Sequence, residues 1–249
     1  MSTMDLSLSG SRIKMIKKQL SSDELNNSVL IACEMQKKEL LASIAETSFK
    51  GEVLWLKKSL HEKPKRLNKA LQEAIDSCQG KSAILLGFGM CGNGVMGLVS
   101  RNTSLIIPMF DDCIRMLLSP GENLPIPSSI FSLFFTEGWL ESDECLLKKT
   151  NIYDKHYGRE KGEYYTKMLL ESYNAVTFID TGLYDIKKCE EKIRYKCELC
   201  ELKIKTDPGN TRVYKKLLSG IYDSEFVVKA PGEKIEICDF DSRAKCSFN

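Results

Sequence analysis

From residue 29 onward the chain alternates two hydrophobic patterns. Short apolar runs at 29–32, 53–56, 83–87 and 105–107 are each followed by a stretch, at 34–46, 64–77 and 111–118 among others, where apolar positions recur every three or four residues. The first pattern suits strands buried on both faces, and the second suits amphipathic helices lying on them. Pro64 opens one helical stretch, where its missing N–H costs nothing. A short helix is expected over 93–99. The alternation predicts an α/β fold, a parallel Rossmann-like sheet covered by helices.

Pro120, Gly121, Pro125 and Pro127 crowd the segment 119–129, which reads as a loop between two lobes. A second series follows, with strands expected at 131–135, 175–179 and 226–228 and helices at 159–172, 186–199 and 211–219. The chain thus divides into a polar extension (1–28), two βα lobes around a cleft (29–119 and 120–230) and a peripheral tail (231–249). Within the extension, 12–20 reads as a helical stretch with Lys14, Lys17 and Lys18 on a solvated face.

The third apolar run passes straight into Gly87-Phe88-Gly89-Met90-Cys91-Gly92-Asn93-Gly94. Ligands in open parallel sheets bind beyond the carboxyl ends of the strands, so a thiol in such a turn stands where chemistry occurs. The other three runs also end near a soft metal ligand: Cys33 directly, His61 shortly after the second, Cys113 after the fourth. Residues that follow successive parallel strands emerge at one sheet edge, so Cys33, His61, Cys91 and Cys113 are expected to converge there. Three thiols and an imidazole suit zinc or a [4Fe-4S] cluster. Cys91, at a glycine turn and the start of the expected helix, is expected to be the most reactive thiol. Buried cysteines that merely end strands remain the plain alternative.

Gly87, Gly89 and Gly92, with Asn93, also match GxGxxG after a strand, with Asp111 and Asp112 downstream. That allows a second reading, a nucleotide or adenosylmethionine site. Glu137 and Asp180 follow strands of the second series and are the carboxylates best placed for proton transfer from the opposing lobe, although strand-end acids equally serve as helix caps. Cys197 and Cys200 form a CxxC, with Cys189 nearby, inside a charged helical pattern without thioredoxin-type surroundings; they are expected to lie on a helix away from the edge.

Lys and Arg number 36 against 34 Asp and Glu, a formal net charge of +2, so nothing in the bulk charge favours nucleic acid or an anionic membrane. No apolar stretch reaches the roughly 20 residues of a membrane span, and the N-terminus lacks a signal-peptide core, so a cytoplasmic location is expected. The ten cysteines are then expected to be reduced: buried, metal-bound or reactive.

Ile31-Ala32-Cys33-Glu34, Leu60-His61 with Pro64, Leu86 through Gly94, Asp112-Cys113, and Phe178-Ile179-Asp180-Thr181-Gly182-Leu183 resemble the motifs of domain-of-unknown-function family sixteen thirty-eight, over about 29–231. Cys33, His61, Cys91 and Cys113 match the family's Cys, His, Cys and Cys positions. Members often carry a histidine just before the last cysteine, where this chain has Asp111 and Asp112. Family members are often encoded near corrinoid-dependent methyltransferases, which implies a role in one-carbon or corrinoid-linked metabolism. Two functions follow as expectations. One is a metal site acting on a small methyl or sulfur substrate; the other is a non-catalytic accessory module that binds a corrinoid or a partner methyltransferase.

Overall fold

A computed structural model describes residues 17–60, 63–121, 126 and 129–240. Its strands are β1 (Lys18–Gln19), β2 (Val29–Cys33), β3 (Glu52–Leu56), β4 (Ala83–Gly87), β5 (Ser104–Pro108), β6 (Ser132–Phe135), β7 (Ala175–Asp180), β8 (Lys203–Pro208), β9 (Ile221–Tyr222) and β10 (Phe226–Lys229). The helices are α1 (Ser22–Asn26), α2 (Lys37–Ala45), α3 (Pro64–Ser77), α4 (Cys113–Leu118), α5 (Glu137–Glu141), α6 (Leu146–Lys149), α7 (Asn151–Tyr157), α8 (Arg159–Leu170), α9 (Ile186–Leu199) and α10 (Arg212–Leu217).

The larger sheet has the order β10-β5-β4-β2-β3, in which β2 to β5 run parallel and β10 antiparallel. The expected mixed architecture of helices over a parallel sheet is therefore present. Period-two alternation divides its core. Leu30, Ala32, Leu85 and Ile106 face one side, packed with Leu40 of α2, Leu117 of α4 and Tyr214 of α10. Val29, Ile31, Ile84 and Leu86 face the other, against Leu67, Leu71 and Ile75, which recur at four-residue spacing on one stripe of α3. From β2 the chain steps to β3 on one side and then to β4 on the other. The carboxyl ends of β2 and β4 therefore flank a topological switch point.

β6, β7 and β8 form a second, parallel sheet. α9 covers it with Cys189, Ile193 and Cys197, again at four-residue spacing, next to Val176 and Phe178. The two sheets meet at α5. Lys38 pairs with Glu137, Lys58 donates to the Gly138 carbonyl at 3.4 Å, and the Gly138 backbone lies so near Met35 that a Cβ there would stand 2.1 Å from its carbonyl oxygen.

Several expectations change. Phe226–Lys229 joins the first sheet as an edge beside β5, not the second series. The third strand of the second sheet is instead Lys203–Pro208, whose mostly exposed side chains carry no apolar run because it is itself an edge. No helix forms at 93–99; residues 91–97 are turns, with positive φ at Cys91, Gly92, Asn93 and Gly97. Lys18–Gln19 pairs with β9 rather than coiling, while 12–16 lies outside the described residues. Part of the tail is not peripheral: Ile235 is buried, its N–H donates to the Leu98 carbonyl at 3.0 Å, and its own carbonyl accepts from Gly97 at 2.8 Å.

Candidate functional site

Cys33 ends β2, Cys91 lies in the turn after β4 and Cys113 opens α4 after β5. All three line one cavity of about 10 Å3, with Met35, Leu60, Leu67 and Phe88 as its apolar walls. A free volume of that order holds one water-sized body. The predicted convergence at the sheet edge is thus present for the three thiols. His61 lies outside the described residues, one position beyond the lining residue Leu60.

The glycines explain how the turn reaches its neighbour. A Cβ on Gly89 would stand 2.7 Å from the Phe110 carbonyl oxygen and 2.8 Å from the Asp112 backbone. That approach lets Met90 and Cys91 donate their N–H groups to the Phe110 and Asp111 carbonyls, both at 2.8 Å. The β4 turn is thereby laced to the β5–α4 loop, which places Cys91 against Cys113. Cys91 itself has φ +47°. A non-glycine residue rarely adopts that conformation, and such strain concentrates at functional positions. Gly87 belongs to β4, where it packs on Ala32; Gly92 and Asn93 continue the left-handed run. With turns in place of a helix after GxGxxG, the helix N-terminus that would take a pyrophosphate is not formed.

Met35 donates its backbone N–H to the Cys33 sulfur at 3.4 Å, the backbone N–H groups of Gly89 and Cys113 favour the Cys91 thiolate, and the Gln36 amide lies near Cys113 without a hydrogen-bond partner of its own. Burial nonetheless dominates the thiols' acidity. It pushes Cys33 up to about 11, Cys91 up to about 12 and Cys113 well above the ordinary range. The expected high reactivity of Cys91 is therefore corrected. Without a helix at 93–99 there is no dipole to lower its pKa, and desolvation of the thiolate outweighs two N–H donors.

Two buried polar groups beneath the thiols were not singled out by sequence. Gln36 is fully buried, and apart from its approach to Cys113 its amide has no hydrogen-bond partner among the described residues. Tyr214 is likewise fully buried with an unpartnered hydroxyl, within electrostatic reach of Cys113, Glu39, Cys91 and Cys33. Leaving such groups unpaired costs about 1–3 kcal/mol each. Gln36 follows Cys33 by three residues, a weak local signal. Tyr214 arrives from α10, far along the chain, and had none.

The remaining candidates serve local structure. Asp112 caps α4, accepting from Arg115 N–H at 2.8 Å. Asp180 accepts from Gly182 N–H at 2.9 Å and so closes its own turn. Glu137 pairs with Lys38 at the junction of the sheets. Cys197 packs in the core of the second sheet with Cys200 against it, apart from the thiol cavity, as the helical pattern predicts. Among the described residues no group of three or more His, Cys, Asp and Glu side chains stands arranged to hold a metal ion, and no helix is long and apolar enough to cross a membrane.

The model of a family described as "Protein of unknown function (DUF1638)" matches residues 55–218, a stretch that includes Cys91 and Cys113 and begins after Cys33. No curated protein and no solved structure matches the chain. The match extends over more than half of the sequence, and the chain belongs to the DUF1638 family.

Proposed function

We propose that Cys33, Cys91 and Cys113 form a soft-metal site at the switch point of the larger sheet, holding zinc or a [4Fe-4S] cluster and leaving a fourth position for His61 or a substrate. The observation that carries this reading is the lining of one small cavity by three thiols from three separate elements, with the Met35 N–H donated to Cys33 at 3.4 Å. Donors of this kind orient metal-bound sulfur and offset its charge. The orphaned amide of Gln36 and hydroxyl of Tyr214 add polar groups in want of a partner at the same place. A cavity sized for a single body favours one ion over a cluster.

At neutral pH thiols with pKa values of about 11 and 12 are protonated, so a metal held by Cys33, Cys91 and Cys113 would displace their protons. When bound, the metal would supply Lewis acidity or an activated thiolate. Glu137 and Asp180 are engaged elsewhere, which leaves Tyr214 as the nearer hydroxyl for a proton at this site. A methyl or sulfur substrate in corrinoid-linked metabolism remains what the family resemblance implies.

Elemental analysis and a visible spectrum of anaerobically purified protein test the proposal. One equivalent of colourless zinc, or a brown protein with iron and sulfide, is expected, and Cys91→Ser should abolish either. Metal-free wild-type protein that takes up neither zinc nor iron with sulfide would overturn it, as would full metal retention in the Cys91→Ser variant. A purified protein that is metal-free yet carries a corrinoid would instead favour the accessory-module reading.

A further inference from the structure

The thiol cavity shares a wall with a larger cleft. Met35 is both a wall of that cavity and a lining residue of a cleft of about 390 Å3, which also carries Lys37, Lys38 and Lys58. Glu141 lines this cleft and also a second one, of about 330 Å3, on the other side of α5; there Lys148, Lys192 and Lys196 stand over an apolar floor of Leu140, Leu147 and Ile193. Cys189 lies within electrostatic range of Lys192, Glu141 and Lys38 together, which ties the two clefts at one place. Each volume falls in the range of small-molecule sites.

The charge along this path is unbalanced. Six lysines face three carboxylates, those of Glu34, Glu39 and Glu141. Burial raises the Glu39 pKa above its ordinary value. Outside the clefts, Lys38 has Glu137 and Lys196 has Asp154, the latter at 3.3 Å. Lys192 has no hydrogen bond or ion pair among the described residues. Lys196 is only 8% exposed, and a buried ammonium with a single long ion pair is a costly feature for structure alone.

We propose that the thiol cavity and the two clefts together form one groove that binds an elongated organic anion, with phosphate or carboxylate groups near both ends of an apolar body, one end in the Lys192–Lys196 cleft and the other beside Met35 at the thiols. The ligand's middle passes Glu141 over α5, and its apolar body lies on Leu140 and Ile193. This inference rests on the thiol site as the place of chemistry, and it names the substrate class of that site.

Calorimetry at low ionic strength on the full chain tests it, with 1,10-decanediol bisphosphate as the phosphate probe, sebacate as the dicarboxylate probe and inorganic phosphate as a short control. Saturable binding of at least one long probe is expected, at least tenfold tighter than inorganic phosphate. Lys37→Glu and Lys192→Glu, one in each cleft, should each weaken it tenfold or more, with folding verified by unchanged melting. Absence of binding by both long probes would overturn the proposal. So would affinity unaffected by either charge reversal, or a short control that binds as tightly as the long ones. Repeating the titration on the Cys91→Ser variant separates the two readings: the anion should still bind there, so the metal site can fail with the groove intact, and the groove can fail in protein that holds metal.

Discussion

Cys91 shows how much a single residue can be read before and after folding. Its place after an apolar run and among glycines made it a candidate, and its left-handed φ of +47° confirms that the backbone is held there against its preference. Its reactivity was not legible, because desolvation depends on Leu67 and Met35 closing around it from two other segments, with Phe88 of its own turn. Gly89 makes the position possible. Gly89→Ala should lower stability by about 1–3 kcal/mol, since backbone atoms on the facing loop cannot yield as a side chain would; it should also reduce metal uptake by pushing Cys91 away from Cys113. Chemical denaturation and metal titration of that variant measure both. Gln36 behaves oppositely. Gln36→Met removes a buried amide with no hydrogen-bond partner, so the metal-free protein should be as stable as wild type or more so. Metal affinity, measured by chelator competition, should fall about 10- to 100-fold as the polar group nearest Cys113 is lost.

Among elements, those with an unbroken pattern were legible: α3 and α9, with apolar residues every fourth position, and the buried strands β2, β4 and β7. The edge strands β3 and β6 were legible too, whereas β8 and the placement of β10 were not. β8 buries little and so shows no apolar run, and β10 reads as strand but gives no hint of which sheet it joins. What brings β10 home is an ion network on α10. Arg212 reaches Ser119 at 2.9 Å and Glu225 at 2.7 and 2.8 Å, and Lys216 contacts both Asp223 and Glu225. This seats Tyr214 beneath the thiols. Although burial opposes ionisation, the hydrogen bonds and charges of Arg212 and Lys216 hold the Glu225 carboxyl at about 2, against an ordinary 4.5. A pKa depressed by folding adds stability above the unfolded value and loses it as pH falls toward the folded one. Stability should therefore decline between about pH 4.5 and pH 2. In Glu225→Gln that acid-dependent loss should be reduced, while stability at pH 7 drops by about 3 kcal/mol, because two cations lose their partner. Urea denaturation as a function of pH checks both.

At the scale of the whole molecule, the first sheet supplies the thiols and the second supplies the wall of the groove that leads to them. A second series with β6 and β7 was legible after the Pro-rich segment, but the return of β10 to the first sheet was not, nor was the meeting of the two sheets, which turns on a contact between backbones: Gly138 against the Met35 carbonyl. Gly138→Ala should force α5 away from Met35, lower the melting temperature and open the clefts, a change that solution scattering and thermal unfolding would register together. The convergence of the thiols at the switch point could be anticipated, because parallel topology alone delivers strand ends to one edge. Their N–H donors and the buried Gln36 and Tyr214 could not, since those come from packing between elements distant in sequence. X-ray absorption at the metal edge of the loaded protein tests the central claim most directly. The account predicts three sulfur scatterers at about 2.3 Å from the metal, falling to two in Cys113→Ser; a first shell of oxygen and nitrogen only, or one unchanged by that substitution, would contradict it.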